Sequence, residues 1–269
     1  MSERATTAPI TSLHDIPVFQ FSSLAGHAGL VYAISTRRGG VSPAPWDSLN
    51  LSHTRGDDTA RVNENHRRLC AALNVPADAL TNAYQVHGAQ VGLIGPAQRG
   101  QRQMDTDALI TATPDTPLLL RFADCTPILL YDPVHHALGL AHAGWRGTVA
   151  GISTATVRAM QTAFGSRPAD LLAGIGPAIG PCCYEVGDEV VEAVQQAFSN
   201  PAALLPPGRR TRRHFDLWAA NTQQLREAGV RQIESAELCT ACHHDWFFSH
   251  RAAAGRCGHF GAIAMLAAR

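Results

Sequence analysis

The chain has 269 residues, 45% hydrophobic and 16% charged, enough to bury a sizeable core in an ordinary globular protein. Its 22 basic and 22 acidic residues cancel, with no long block of one sign, so neither nucleic acid nor a membrane surface is an expected partner. No lysine occurs, which excludes P-loop and Schiff-base lysine chemistry.

Residues 1–14 are expected to form a flexible tail, followed by one domain over residues 15–269. The start, MSERATTAPI, lacks the basic and apolar regions of a signal peptide, and no apolar run reaches the roughly 18 residues of a membrane span. The seven cysteines, an odd number, read as free thiols in a reducing compartment, which predicts a cytoplasmic protein without disulfides.

In chain order, Val18 to Phe21 and Leu30 to Ile34 read as short strands, and Gly39-Gly40 marks a turn. Asp57-Asp58-Thr59 caps a helix over about Ala60 to Leu73, which Asn74 and Pro76 end. Strands are expected near Ala83 to Val86, Gln90 to Ile94, Asp107 to Thr111 and Leu118 to Arg121, with Ala97 to Met104 as an exposed loop. Further apolar runs occupy Ile128 to Tyr131 and Ala137 to Ala141. A helix over Val149 to Phe164 precedes a buried strand at Leu171 to Ile175. Helices follow at Asp188 to Phe198 and Leu217 to Ala228, separated by a loop from Pro201 to Arg213. The alternation predicts a mixed α/β fold.

Cys125 and His142 each sit where a buried strand meets a turn, and His87 ends another strand. One thiolate and two imidazoles would leave the fourth tetrahedral position of a zinc ion open, the pattern of a catalytic site. Asp124 is a candidate to orient a ligand. A Cys125–His142 nucleophile pair stays open as an alternative.

Other patterns carry less. Cys239-Thr240-Ala241-Cys242-His243 matches the c-type haem attachment pattern and half of a structural zinc site, whose missing pair would have to come from Cys257 and His259. Both readings are set aside. Gly174 to Gly180 breaks the dinucleotide fingerprint, its third glycine late and Pro177 lacking a donor, and reads as a tight turn. Arg37, Arg38 and Arg146 lie beside glycines, which would let a guanidinium approach an oxyanion closely. No GxSxG elbow is present.

The segments Thr36-Arg37-Arg38-Gly39-Gly40-Val41-Ser42, Ser48-Leu49-Asn50-Leu51, Gln85-Val86-His87-Gly88, Asp107 to Thr111, Ala123-Asp124-Cys125-Thr126-Pro127 and His142-Ala143-Gly144-Trp145-Arg146-Gly147-Thr148 resemble the YfiH-like, or laccase-domain, family. Its members are also described as multicopper polyphenol oxidases, purine nucleoside phosphorylases and peptidoglycan editing factors. Gly174 to Gly180, Tyr184-Glu185-Val186, Asp216-Leu217-Trp218, Cys239-Thr240 and Phe247-Phe248-Ser249 extend the resemblance over nearly the whole chain. It implies a layered α-β-β-α sandwich, two packed mixed sheets with outer helices. It also implies a cytosolic enzyme with zinc on His87, Cys125 and His142, and phosphorolysis of adenosine, inosine and S-methyl-5'-thioadenosine together with adenosine deamination.

On that reading Arg37, Asn50 and Arg146 are the expected substrate- and phosphate-binding residues. Two alternatives accompany it: a copper-dependent polyphenol oxidase, and a peptidoglycan-precursor editing hydrolase with Cys125 as nucleophile. The chain departs from the family after Ser249. Where paired arginines are usual, it has Arg251 followed by Ala252.

Overall fold

The computed structural model describes residues 10–208 and 212–268; residues 1–9, 209–211 and 269, which hold part of the expected tail and of the arginine-rich loop, lie outside the described residues. One sheet orders its strands as Ile10–Leu13, Ile16–Phe19, Leu30–Ser35, Phe260–Leu266, Leu118–Phe122, Thr81–Ala83 and Arg102–Gln103. The other runs Gln232–Ser235, Leu172–Ile175, Thr126–Asp132, Ala137–Ala143, Ala108–Thr111 and Val91–Leu93. Both sheets mix parallel and antiparallel pairs.

The strands are apolar on both faces because each face is covered, and the period of two divides their residues between two cores. In Leu118–Phe122, Leu118, Leu120 and Phe122 enter the core between the sheets, while Leu119 packs outward with Leu69 and Leu73 of the helix Thr59–Leu73. In Thr126–Asp132, Leu129 and Tyr131 join the inner core, whereas Ile128 and Leu130 meet Val157 and Met160 of the helix Ile152–Phe164. Each such fully buried side chain contributes about 1.5–3 kcal/mol. The result is the expected sandwich of helix, sheet, sheet and helix. A fourth apolar cluster joins Val190 and Val194 of the helix Asp188–Ala197 to Leu217 and Ala220 of the helix Leu217–Glu227.

The first long helix follows its sequence signals closely. Asp58 caps it by accepting from the N–H groups of Ala60 and Arg61, and Asn74 ends it in the left-handed conformation at φ 53°.

Four expectations need correction. The flexible tail placed over 1–14 does not extend that far, because Ile10–Leu13 pairs antiparallel with Ile16–Phe19 across a turn in which His14 and Asp15 both have positive φ. The loop from Ala97 to Met104 contains an edge strand, Arg102–Gln103, which runs parallel to Asn82–Ala83. The helix expected from Val149 starts earlier, at Trp145, and is interrupted at Gly151, whose φ of 82° no helix interior accommodates. Pro201 to Arg213 is not loop throughout, since Pro201–Leu204 is a helical turn and Arg213–His214 pairs with Glu185–Val186. Among the described residues no helix is long and apolar enough to cross a membrane.

Candidate metal centre and its cavity

His87, Cys125 and His142 converge, with one ligand atom from each lying within 4.8 Å of the others. Cys125 occupies the short turn by which the chain leaves strand Leu118–Phe122 of one sheet and enters Thr126–Asp132 of the other. His142 projects from the buried strand Ala137–Ala143 and is itself buried. His87 is exposed, in a loop with φ 62°, and its ring meets that of His142 at 4.9 Å and 76°.

The carboxylate that organises this centre is Asp107, not Asp124. Asp107 Oδ1 lies 2.9 Å from His142 Nδ1. The same side chain accepts from the backbone N–H groups of Val86, His87 and Gly88 at 3.1, 3.0 and 2.7 Å. One buried carboxylate therefore orients two of the three metal-binding candidates, one through its ring and one through its backbone. With Nδ1 engaged, Nε2 is the nitrogen that His142 has left for a metal. Asp124 instead fastens loops: its carboxylate accepts from Thr240 Oγ1 and from the Arg251 N–H, both at 2.7 Å.

The charges reinforce the arrangement. Burial pushes the Cys125 thiol up, but the charges and hydrogen bonds of His142 and His87 outweigh it and bring it down to about 6. Burial disfavours the charged His142 ring, yet the Cys125 thiolate and Asp107 raise it to about 9. Without metal, a thiolate and an imidazolium would face one another here.

Two glycines make the approach possible. A Cβ on Gly144 would come within 2.9 Å of His87 Cδ2 and 3.0 Å of Cys125 Sγ, and one on Gly147 within 2.8 Å of the Gly88 carbonyl oxygen. The small residues of the HAGWRG segment thus let the first turn of the helix at Trp145–Val149 press against the cysteine and the loop of His87.

The centre opens into a cavity of about 510 Å³ whose lining includes Arg55, Arg102, Arg121, Arg146 and Arg251. Tyr84, Trp145 and Tyr184 supply aromatic wall, and Ile179 and Leu217 an apolar strip. Asp124 is the one carboxylate of the lining, and both its oxygens are engaged. Burial and the charge of Arg102 pull the Arg121 guanidinium down to about 10, which still leaves it a cation at neutral pH.

Of the expected anion-binding residues, Arg146 lines this cavity, resting on Trp145 at 4.2 Å and bridging to Glu189 at 3.1 Å. Arg37 and Asn50 do not belong to the lining. Arg37 donates to Asp47 and to the His244 carbonyl while stacking on Phe248, so its guanidinium holds loops together. Asn50 is fully buried, its amide donating to Asp57 and the Ser52 carbonyl and accepting from the N–H groups of Ser52 and His259. Both side chains bond to neighbouring loops. Sequence reasoning missed Asp107, Arg55 and Arg121; a carboxylate opening an otherwise apolar strand was the available signal for the first.

The remaining motifs resolve as follows. Backbone N–H groups of Gly176, Ala178 and Ile179 bond to the carbonyls of Pro127, Leu238 and Asp124, so the glycine-rich segment is a packed turn and no anion cradle. His135 pairs with Asp132, and His136 bonds to the Ala267 carbonyl; among the described residues neither belongs to a possible metal group. Cys257 sits in the inner core and His259 contacts Arg55, so they do not complete a zinc site with Cys239 and Cys242. Among the described residues the second possible metal group is Cys182, Cys183, Cys239 and Cys242.

Residues 31–267 match the family model described as multi-copper polyphenol oxidoreductase laccase. The chain is 40% identical to "Purine nucleoside phosphorylase YlmD" of Geobacillus stearothermophilus, over 86% of this chain and 88% of that one. It is 39% identical to "Purine nucleoside phosphorylase YfiH" of Escherichia coli, over 83% and 88%. Among solved structures, the hypothetical protein YfiH of Bacillus licheniformis superposes with a TM-score of 0.85 at 33% identity, covering 88% of this chain and 92% of its own.

Proposed function

This chain belongs to the multi-copper polyphenol oxidoreductase laccase family, and on that premise we propose that it is a zinc-dependent purine nucleoside phosphorylase of the cytoplasm. The observation that carries the reading is a cavity with five arginines and one engaged carboxylate, opening onto a Cys/His centre. Such a wall attracts a phosphate dianion, and its one carboxylate among the described residues is already engaged.

The donor set fits zinc. One soft thiolate and two imidazoles come from protein, the second imidazole is oriented by a carboxylate, and among the described residues the set stops at three ligands. Zinc held by His87, Cys125 and His142 would supply a Lewis acid and, for adenosine deamination, a bound water of lowered pKa. Copper shares an affinity for imidazole and thiolate, but the histidine pairs His135-His136 and His243-His244 form no further copper cluster among the described residues.

The side chains divide the remaining work. Arg121, Arg55 and Arg146 hold phosphate so that one of its oxygens can bond to the ribose anomeric carbon as the bond from that carbon to the purine nitrogen breaks. Their charge offsets that of the incoming phosphate and lowers the entropic cost of bringing two substrates together. Tyr84, Trp145 and Tyr184 offer faces for a purine, and Ile179 and Leu217 suit the methylthio group of S-methyl-5'-thioadenosine. Adenosine and inosine are the other proposed substrates. Neither nucleic acid nor a membrane is a proposed partner.

The test is product identification with adenosine in phosphate and in phosphate-free buffer. Adenine with ribose 1-phosphate, formed only when phosphate is present, supports the reading. Free ribose, or no cleavage at all, contradicts it.

A further inference from the structure

A second cluster of metal-binding side chains lies outside the His87–Cys125–His142 centre. Cys182 and Cys183 come from the turn after Gly180, and Cys239 and Cys242 from a C-x-x-C turn far along the chain. Their four sulfurs all lie within 4.8 Å of one another. Cys242 Sγ is 3.6 Å from Cys182 Sγ and 3.4 Å from Cys183 Sγ. A tetrahedral tetrathiolate zinc with bonds of about 2.3 Å has sulfurs about 3.8 Å apart, so these four need shift only slightly to enclose an ion.

Two further observations favour a metal. The backbone N–H of Gly180 donates to Cys239 Sγ at 3.2 Å, a bond that stabilises a thiolate. Cys182 and Cys242 are exposed while Cys239 is buried, which leaves an entry path on one side of a set anchored on the other. The segments are also held in register without the sulfurs: Ala178 pairs with Cys239, and the Thr240 N–H donates to the Ala178 carbonyl. The ligands are therefore pre-arranged by the fold.

We propose that Cys182, Cys183, Cys239 and Cys242 form a closed, structural zinc site. Four thiols release their protons as Zn²⁺ binds, and no oxidant or reductant is needed. All four positions are protein ligands, so this site does no chemistry. Its role is mechanical. It clamps the turn that presents Ile179 and Tyr184 to the cavity onto the segment in which Thr240 holds Asp124, the neighbour of Cys125. The inference stands on geometry alone and does not depend on phosphorolysis.

The experiment isolates this site by emptying the other. Full-length Cys125→Ala protein is prepared with zinc in the medium and without chelator, and zinc content and the zinc X-ray absorption spectrum are recorded. His87→Ala, at an exposed ring, replaces it if that protein does not fold. The expected result is one tightly held zinc per chain with an all-sulfur shell, lost when Cys182→Ser and Cys242→Ser are added while the far-ultraviolet dichroism stays folded. Bound zinc should also protect these four thiols from alkylation, so that they become reactive only after a chelator withdraws the metal. Protein that is zinc-free and takes up no added Zn²⁺, a shell containing nitrogen, or an intact mass lower by two hydrogens from a Cys183–Cys242 disulfide would each overturn the proposal.

Discussion

Asp107 Oδ1 sits 2.9 Å from His142 Nδ1, and the carboxylate that makes this contact also receives the three successive N–H groups of Val86, His87 and Gly88. Asp107→Asn keeps the shape but removes the charge and replaces one acceptor oxygen by a donor. Metal affinity at the three-residue centre is expected to fall about 10- to 100-fold. Competition with a chromophoric chelator measures it, and unchanged affinity would show that Asp107 does not orient the site.

The facing charges of Cys125 and His142 set a pH window for the metal-free protein. The thiol lies below its ordinary value, at about 6, so its contribution to stability is complete above the unfolded value and is lost as pH falls through about 6. His142 lies above its ordinary value, at about 9, so its contribution is complete below the unfolded value and is lost as pH rises through about 9. Thiolate absorbance in chelated protein should therefore appear with an apparent midpoint near 6, a property of the coupled pair. In His142→Gln the midpoint should move up toward that of an ordinary cysteine. An unmoved midpoint contradicts the pairing.

Two arginines with different surroundings separate anion binding from loop anchoring. Arg121→Gln removes a cavity cation and is expected to raise the KM for phosphate about tenfold or more, the loss of one charged hydrogen bond of roughly 1.5–3 kcal/mol, with kcat changed less. Arg37→Gln, whose partners are Asp47 and His244, should lower the Tm and leave the KM for phosphate nearly unchanged. Steady-state kinetics on both variants decides, and the reverse pattern would return Arg37 to the phosphate site.

Gly144→Ala tests the close approach around the centre. The added methyl would press on His87 and Cys125 at about van der Waals-violating range, with 2.9 Å to His87 Cδ2. A fold that persists with roughly 1–3 kcal/mol less stability and a weakened metal site is expected. Chemical denaturation and metal titration read the two effects separately.

The strands were legible as short apolar runs, which gave a mixed α/β chain, whereas the layered sandwich was an implication of the family resemblance. Leu118 to Phe122 and Thr126 to Tyr131 distribute their apolar side chains between two cores, a division that an unbroken apolar run does not display. The His87, Cys125 and His142 set was legible as strand-end residues, although their convergence depends on how a turn carries the chain from one sheet to the other. Asp107 was hidden because a single carboxylate before an apolar strand looks like a turn acceptor. The surroundings of the Cys239–Cys242 pair were hidden for a related reason. Cys257 and His259 follow the pair in sequence, whereas the fold brings in Cys182 and Cys183, whose segment meets it through the pairing of Ala178 with Cys239. Sheet order, which sequence periodicity does not encode, made that difference.

Metal held by His87, Cys125 and His142 is proposed to serve both phosphorolysis and adenosine deamination. The most direct measurement compares wild type and Cys125→Ala for zinc at the three-residue centre, phosphate-dependent cleavage of inosine, and conversion of adenosine to inosine. All three are expected to fall together in the variant while the fold remains. Wild-type turnover in a Cys125→Ala protein whose centre holds no metal would contradict that proposal.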